Sequence, residues 1–209
     1  MKKVYYTVTK QSCSQIEVKK SRFICDIKSI ENEEEAKDFI KEIKSKYPDA
    51  RHVCYAYIAD ADGNNFKYSD GGEPQGTAGI PILEALKNRN LTCVVATVTR
   101  YFGGILLGTG GLARAYSDST ISGINLSSIC ECVASTKFKT LLSYSLYPKF
   151  TNKISSYSAI VDKIDYFDDG VEITFTCAND DKEKVLNLIL ELSSGKEVAE
   201  EVESLYARY

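Results

Sequence analysis

Histidine is almost missing from this chain: His52 is the only one in 209 residues. That excludes a metal centre built on two or more imidazoles and leaves Cys54 as its sole nearby soft ligand. Long apolar runs are absent as well. Nothing approaches the stretch of about eighteen apolar residues that a membrane helix requires, and Met1 to Lys10 holds no apolar segment of signal-peptide length. The phosphate-loop pattern G-x-x-x-x-G-K-[ST] occurs nowhere, which excludes that chemistry at the motif level. Asp60 and Asp62 superficially suggest a calcium loop, but the spaced ligands and the closing glutamate are missing. Repeats and low-complexity tracts are lacking too. An excess of positive charge is not present: the net charge of −3 is too acidic for a protein that coats nucleic acid nonspecifically. The seven cysteines are odd in number, scattered and mostly set in strand-like apolar runs, which suits reduced thiols. A cytoplasmic protein with no membrane partner is expected.

What the chain has in unusual density is glycine. Asp70 to Gly79 and Arg100 to Tyr116 together hold nine of the thirteen glycines. Each costs roughly 0.5–1 kcal/mol relative to alanine inside regular structure, so such clusters belong where the backbone must turn sharply or come close to something. Both segments lead into helix-like sequence, Ile80 to Lys87 and Leu112 to about Ser122. Each could therefore aim N–H groups and a helix dipole at an anion, with phosphate the natural guess. Tight turns packing helices on a sheet would explain them equally well. Gly108, Gly110 and Ala113 formally match a dinucleotide fingerprint, but Phe102 to Leu107 intervene after the strand and no further βαβ unit follows.

Charge is uneven along the chain. Residues 1–136 carry 17 Lys and Arg against 16 Asp and Glu, a balance of +1, whereas 137–209 carry 9 against 13, a balance of −4. Any contact with a polyanion is expected in the first part, with Lys19, Lys20, Arg22, Arg51, Arg100 and Arg114 as candidates.

Local patterns predict strands at Gln15–Val18 and Arg22–Ile27 around a turn at Lys19–Ser21. Asn32 is an N-cap candidate with Glu35 three residues on, starting a helix that Tyr47 and Pro48 stop. Strands follow at Val53–Ala59, Asn65–Ser69 and Leu91–Thr99. The pattern shifts near residue 137. Beyond it come strand Phe138–Tyr147, helix Thr151–Ile160, strand Val161–Phe167, strand Val171–Cys177, helix Asp181–Leu192 and strand Glu197–Leu205. This βαββαβ order predicts a small ferredoxin-like domain over 137–209, after an α/β domain over 1–136.

Three groups carry candidate chemistry. His52 could serve as base to Cys54, or the two could pack side by side on one strand face. Cys130 and Cys132 lie in an alternating strand, too few for a metal centre, and no metal or cofactor is expected. Glu73, between Gly72 and Pro74, has no obvious packing role and either orients a substrate or caps the turn near Thr77. Arg100, Tyr101 and Phe102 join a cation to two aromatics beside the glycine loop, a grouping that suits stacking on a base and contact with phosphate.

At Arg22, Phe23, Arg51, His52, Cys54 and Ala56, the run from Ser69 through Gly79 to Leu83, and the run from Thr99 to Tyr116, the chain resembles the YigZ proteins of bacteria. Their N-terminal domain is shared with the eukaryotic translation regulator IMPACT. One departure is Gly71, where the family pattern has a second aspartate. Residues 139–209 resemble the domain appended in bacterial members, similar to a domain of elongation factor G. The resemblance implies an α+β fold whose first domain is like the second domain of ribosomal protein S five, a fold shared with small-molecule kinases that hold nucleotide phosphate on a glycine-rich loop.

The leading expectation is a non-enzymatic, cytoplasmic protein associated with RNA or the ribosome and connected with translation. Arg22, Arg100, Tyr101, Gly103, Gly104, Gly108, Gly110, Gly111 and Arg114 would meet phosphate or RNA. Two alternatives stand beside it. One is an enzyme or binding protein for a nucleotide or phosphorylated small molecule, with Glu73, Asp70 or His52 as acid–base candidates. The other is a protein-interaction module of a stress-response regulator, with a translation-related protein as partner.

Overall fold

The computed structural model describes residues 3–209, and the chain divides into two compact units, Met1–Glu131 and Cys132–Tyr209. In the first unit β1 (Val4–Val8) precedes the hairpin of β2 (Ser12–Val18) and β3 (Ser21–Ser29). The tip of that hairpin is tighter than the sequence suggests. Only Lys19 and Lys20 form it, with φ of 46° and 63°, the left-handed pair that matches the twist of two-residue hairpins. Left-handed backbone costs a residue with a side chain about 1–2 kcal/mol, so two strained lysines are held at this tip.

Helix α1 (Glu33–Lys46) begins as its sequence predicts: Asn32 Oδ1 accepts from Glu35 N–H at 3.0 Å. Ala36, Phe39, Ile40 and Ile43 are its buried residues, and they share a core with Tyr57 and Val95. Then come β4 (His52–Ile58), β5 (Phe66–Ser69), α2 (Gly79–Lys87), β6 (Val94–Tyr101) and α3 (Gly108–Ser127). The sheet order is β2-β3-β6-β4-β5, antiparallel throughout. Alternation along each strand gives it two apolar faces. Phe23, Cys25, Ile27, Val94, Ala96, Val98, Cys54, Ala56 and Ile58 pack with α2 and α3, while Tyr57 and Val95 pack with α1.

Helix α3 starts four residues before the predicted Leu112 and runs past Ser122. Glycine disfavours helix, yet Leu112, Ala115, Tyr116, Ser119, Thr120, Gly123 and Ile124 bury one continuous stripe, and tertiary burial outweighs local propensity.

The second unit is built from β7 (Ile129–Leu142), which crosses the unit boundary, α4 (Tyr147–Ile154), β8 (Ala159–Phe167), β9 (Gly170–Ala178), α5 (Lys182–Ser193) and β10 (Glu200–Ala207). Its strands lie in the order β10-β7-β9-β8, all antiparallel. That is the ferredoxin-like arrangement of the βαββαβ order. The structure differs from the sequence expectation in detail: the helix expected over Thr151–Ile160 lies at Tyr147–Ile154, and Ile160 belongs to β8. The strand expected from Phe138 and the alternating segment at Cys130 and Cys132 are one strand. It stops at Leu142 because Ser143 O accepts from the N–H groups of Leu146 and Tyr147, opening a turn into α4, whose first turn contains Pro148. Phe138, Phe150, Ile173, Phe175, Val185 and Ile189 fill the core between helices and sheet.

Candidate functional site

The first glycine segment closes on itself. The Asp70 carboxylate accepts from Gly76 N–H at 2.9 Å, Ala78 N–H at 3.0 Å and Gly79 N–H at 2.8 Å. Ala78, at the N-cap position of α2, supplies no side-chain cap, so a carboxylate eight residues earlier in the chain takes its place. Burial works against the charged form, but the three backbone donors prevail and hold the Asp70 carboxyl below its ordinary value.

Glu73 is equally committed. Its Oε1 accepts from Arg100 Nη1 at 2.8 Å and from the Tyr116 hydroxyl at 2.8 Å. The side chains of Arg100 and Glu73 are 6% and 4% exposed, so this is a buried ion pair rather than a surface one. Arg100 Nη2 also lies 3.4 Å from Ser21 Oγ, and its Nε is buried without a partner. Burial first, then the neighbouring Cys54 and Glu73, raise the Tyr116 hydroxyl far above its ordinary pKa, so it remains a donor.

His52 and Cys54 stand side by side on β4, and each bonds to the turn that follows β5. His52 Nδ1 donates to Gly71 O at 3.1 Å, and Cys54 Sγ donates to Asp70 O at 2.9 Å. Burial pushes the Cys54 thiol up to about 12, so at neutral pH it is a protonated, packed group. Asp70, Glu73, His52, Cys54, Arg100 and Tyr116 thus form one internal polar assembly that fixes the first glycine segment to the sheet.

The second glycine segment is different in kind. Gly103 lies against the β2–β3 tip: a Cβ there would sit 2.0 Å from the Lys20 carbonyl carbon, so only glycine permits the approach. Its N–H donates to Ser21 Oγ at 3.1 Å. Beyond it Gly104, Ile105, Leu106, Gly108, Thr109 and Gly110 are all exposed, and Gly111 is half-buried. Helix α3 has no side-chain cap at Leu107 and no acidic residue in its first turn. The amides at a helix start are orphan donors, and these face no internal carboxylate.

Cations and aromatic rings lie near this segment. Exposed Arg22 stacks on half-buried Tyr101, its Cζ 4.6 Å from the ring centroid. Exposed Phe102 rests over buried Arg100, whose Cζ is 5.4 Å from the ring centre. Lys19, Leu107, Gly111 and Arg114 line a depression of about 210 Å³ together with Val18 and Asp118. Arg114 Nε is 3.8 Å from Asp118 Oδ2, both exposed, a pair of the sort that contributes little in water.

The structure therefore separates the residues singled out by sequence. Gly103, Gly104, Gly108, Gly110, Gly111 and Arg114 lie along the loop and first turns of α3 beside the hairpin tip, whereas Arg22 and Tyr101 are cross-strand partners that alternate with Phe23 and Arg100 and so point to the α1 side of the sheet edge. Arg100 turns inward, neutralised by Glu73. Tyr116 looks in sequence like any other helix residue. Its bond to Glu73 spans 43 positions, and no local signal marks it.

A sandwich of helices on both faces of an antiparallel sheet, followed by a ferredoxin-like unit, defines a two-domain α+β protein. Residues 19–124 match the Impact N-terminal domain. The chain is 37% identical over 202 residues to the IMPACT family member YvyE of Bacillus subtilis, covering 97% of this chain and 93% of that protein. It therefore belongs to the IMPACT family. Escherichia coli YigZ is 48% identical over 102 residues, which are 48% of this chain and 50% of that protein. The crystal structure of an hypothetical protein superposes with a TM-score of 0.66 at 28% identity, covering 97% of this chain and 99% of the other.

Proposed function

We propose that this chain is a non-enzymatic, cytoplasmic RNA- or ribosome-associated protein connected with the regulation of translation. The Lys19–Lys20 tip, Arg22 on Tyr101, Phe102 and the amide-rich start of α3 would make its contact for RNA. One observation carries the reading: the second glycine segment starts its helix with no carboxylate cap and with exposed Lys19 and Arg114 beside it, whereas the first closes the same chemistry with Asp70. Amides and cations meet phosphate, and the Tyr101 and Phe102 rings offer stacking surfaces for bases. Asp70 and Glu73 are committed to internal partners, which favours binding over acid–base chemistry.

The test is fluorescence anisotropy of a labelled single-stranded oligoribonucleotide across a salt series. Replacing Lys19, Lys20, Arg22 and Arg114 by alanine should weaken binding and flatten the dependence of log K on log salt by about 0.7 for each phosphate that is no longer neutralised. Identical binding by wild type and variant would remove this surface from the account. A second reading, docking of a translation-related protein, is favoured by Phe102, Ile105 and Leu106, which are 52%, 41% and 82% exposed. It requires a protein to co-purify after nuclease treatment and to dissociate on Leu106→Ser.

A further inference from the structure

On the opposite side of the first unit's sheet, a groove of about 390 Å³ runs between the end of α1 and the strands β4 and β5. Its size falls in the range of about 300–1,000 Å³ typical of small-molecule sites. The residues that give it character are Lys44, Tyr47, Arg51, Tyr55, Ser69 and Gly71, and no carboxylate lines it. Among the described residues neither Lys44 nor Arg51 takes part in an ion pair. A last-turn lysine has a simple helix-dipole explanation. Arg51 lies beyond the helix and has none.

The two aromatic walls are held from outside the groove. Tyr55 stacks on Tyr57 with 6.4 Å between centroids and 6° between planes. Tyr47 is fixed by a contact of its hydroxyl with Cys13 Sγ at 3.9 Å and by Lys46 Nζ, 5.0 Å from its ring centroid. Lys46 itself is tied to buried Asp26 at 2.8 Å, so the end of α1 is anchored. At the other end Ser69 Oγ accepts from Gly71 N–H at 3.2 Å, which leaves the hydroxyl hydrogen to donate. Gly71 has φ of +56° and a Cβ there would meet Val53 O at 2.4 Å. The turn consequently presses on β4 and puts no side chain into the groove.

We propose that this groove binds a nucleoside phosphate, its base against Tyr47 and Tyr55 and its phosphate on Arg51 and Lys44. A planar guanidinium and an ammonium without competing carboxylates select phosphate, and two preset aromatic faces select a planar base. The groove has no lining residue in common with the depression at the β2–β3 tip and the start of α3.

The experiment titrates the whole protein with AMP, UMP, adenosine and inorganic phosphate by calorimetry and amide NMR. Saturable binding of the monophosphates is expected, with resonances of Tyr55 and Gly71 shifting. Adenosine and phosphate should each bind at least about tenfold more weakly, since each retains only half of the interactions. Lys44→Ala with Arg51→Ala, both exposed positions, should weaken AMP binding at least about tenfold, while Arg114→Ala leaves it unchanged. Absence of saturable binding, phosphate binding as tightly as AMP, or wild-type affinity in the double variant would each overturn the site. An unlabelled oligoribonucleotide that displaces AMP supports the groove as a site for a nucleotide within RNA. AMP binding that the oligoribonucleotide leaves untouched supports it as a site for a free nucleotide.

Discussion

The two glycine-dense segments are written in similar residues and each feeds a helix, yet they dispose of their amides in opposite ways. Ahead of α2 the Asp70 carboxylate takes three N–H groups, and Glu73 on the same turn is locked to Arg100 and Tyr116. Ahead of α3 no acidic side chain serves that role, the loop is exposed, and Lys19 and Arg114 lie beside it with Asp118 as the one acid in the depression. A nest of backbone donors is a site only when the chain has not already supplied its own anion. The acids that look most reactive in sequence belong to the closed segment, and the open segment contains none before Asp118.

The comparison breaks most severely at Glu73. Glu73→Ala leaves Arg100 buried without its counter-ion, and removing one partner of a buried pair costs about 3–5 kcal/mol. Chemical denaturation should show that loss, and an unchanged midpoint would mean that the pair does not secure the first segment. Asp70 is next. Asp70→Asn removes the charge that three amides address, at a cost of about 2 kcal/mol.

The pH dependence of Asp70 has a definite sign. Its folded-state pKa lies below the ordinary 3.8, so the unfolded chain takes up the proton first. The stabilisation is complete well above 3.8 and fades as pH falls through the lowered folded value. The gap between wild type and Asp70→Asn should therefore narrow in acid, and a gap that widened there would contradict the assignment. The smallest effect is expected in the open segment. A Cβ at Gly110 meets nothing within 4 Å, so Gly110→Ala should stabilise the protein by up to about 1 kcal/mol and leave RNA binding intact because the amide remains. Destabilisation by this variant would show that the start of α3 is more closely packed than its exposure indicates.

Much of the framework is legible locally. Asn32 and Glu35 mark the start of α1 because capping is decided within one turn. The order of strands and helices after residue 137 reads correctly because period and length separate them. Arg100 is legible only in part. Beside Tyr101 and Phe102 it resembles a stacking platform, but β6 alternates, and the register that pairs Arg100 with Phe23 and His52 turns it inward. Nothing within one turn of Glu73 reveals Arg100, 27 positions away. The start of α3 is hidden because three glycines argue against helix, whereas the buried stripe that enforces it begins at Leu112.

Side-chain type and spacing were enough to determine most of the elements, though not β1 or the bounds of α3 and α4, and the two-part organisation and the places where backbone geometry mattered, since these depend on contacts along a few residues. Which charges face water and which face each other was decided only by strand register and by the packing of α1, α2 and α3 on the sheet. A charge has no intrinsic direction along the chain; it acquires one when the fold chooses its neighbours.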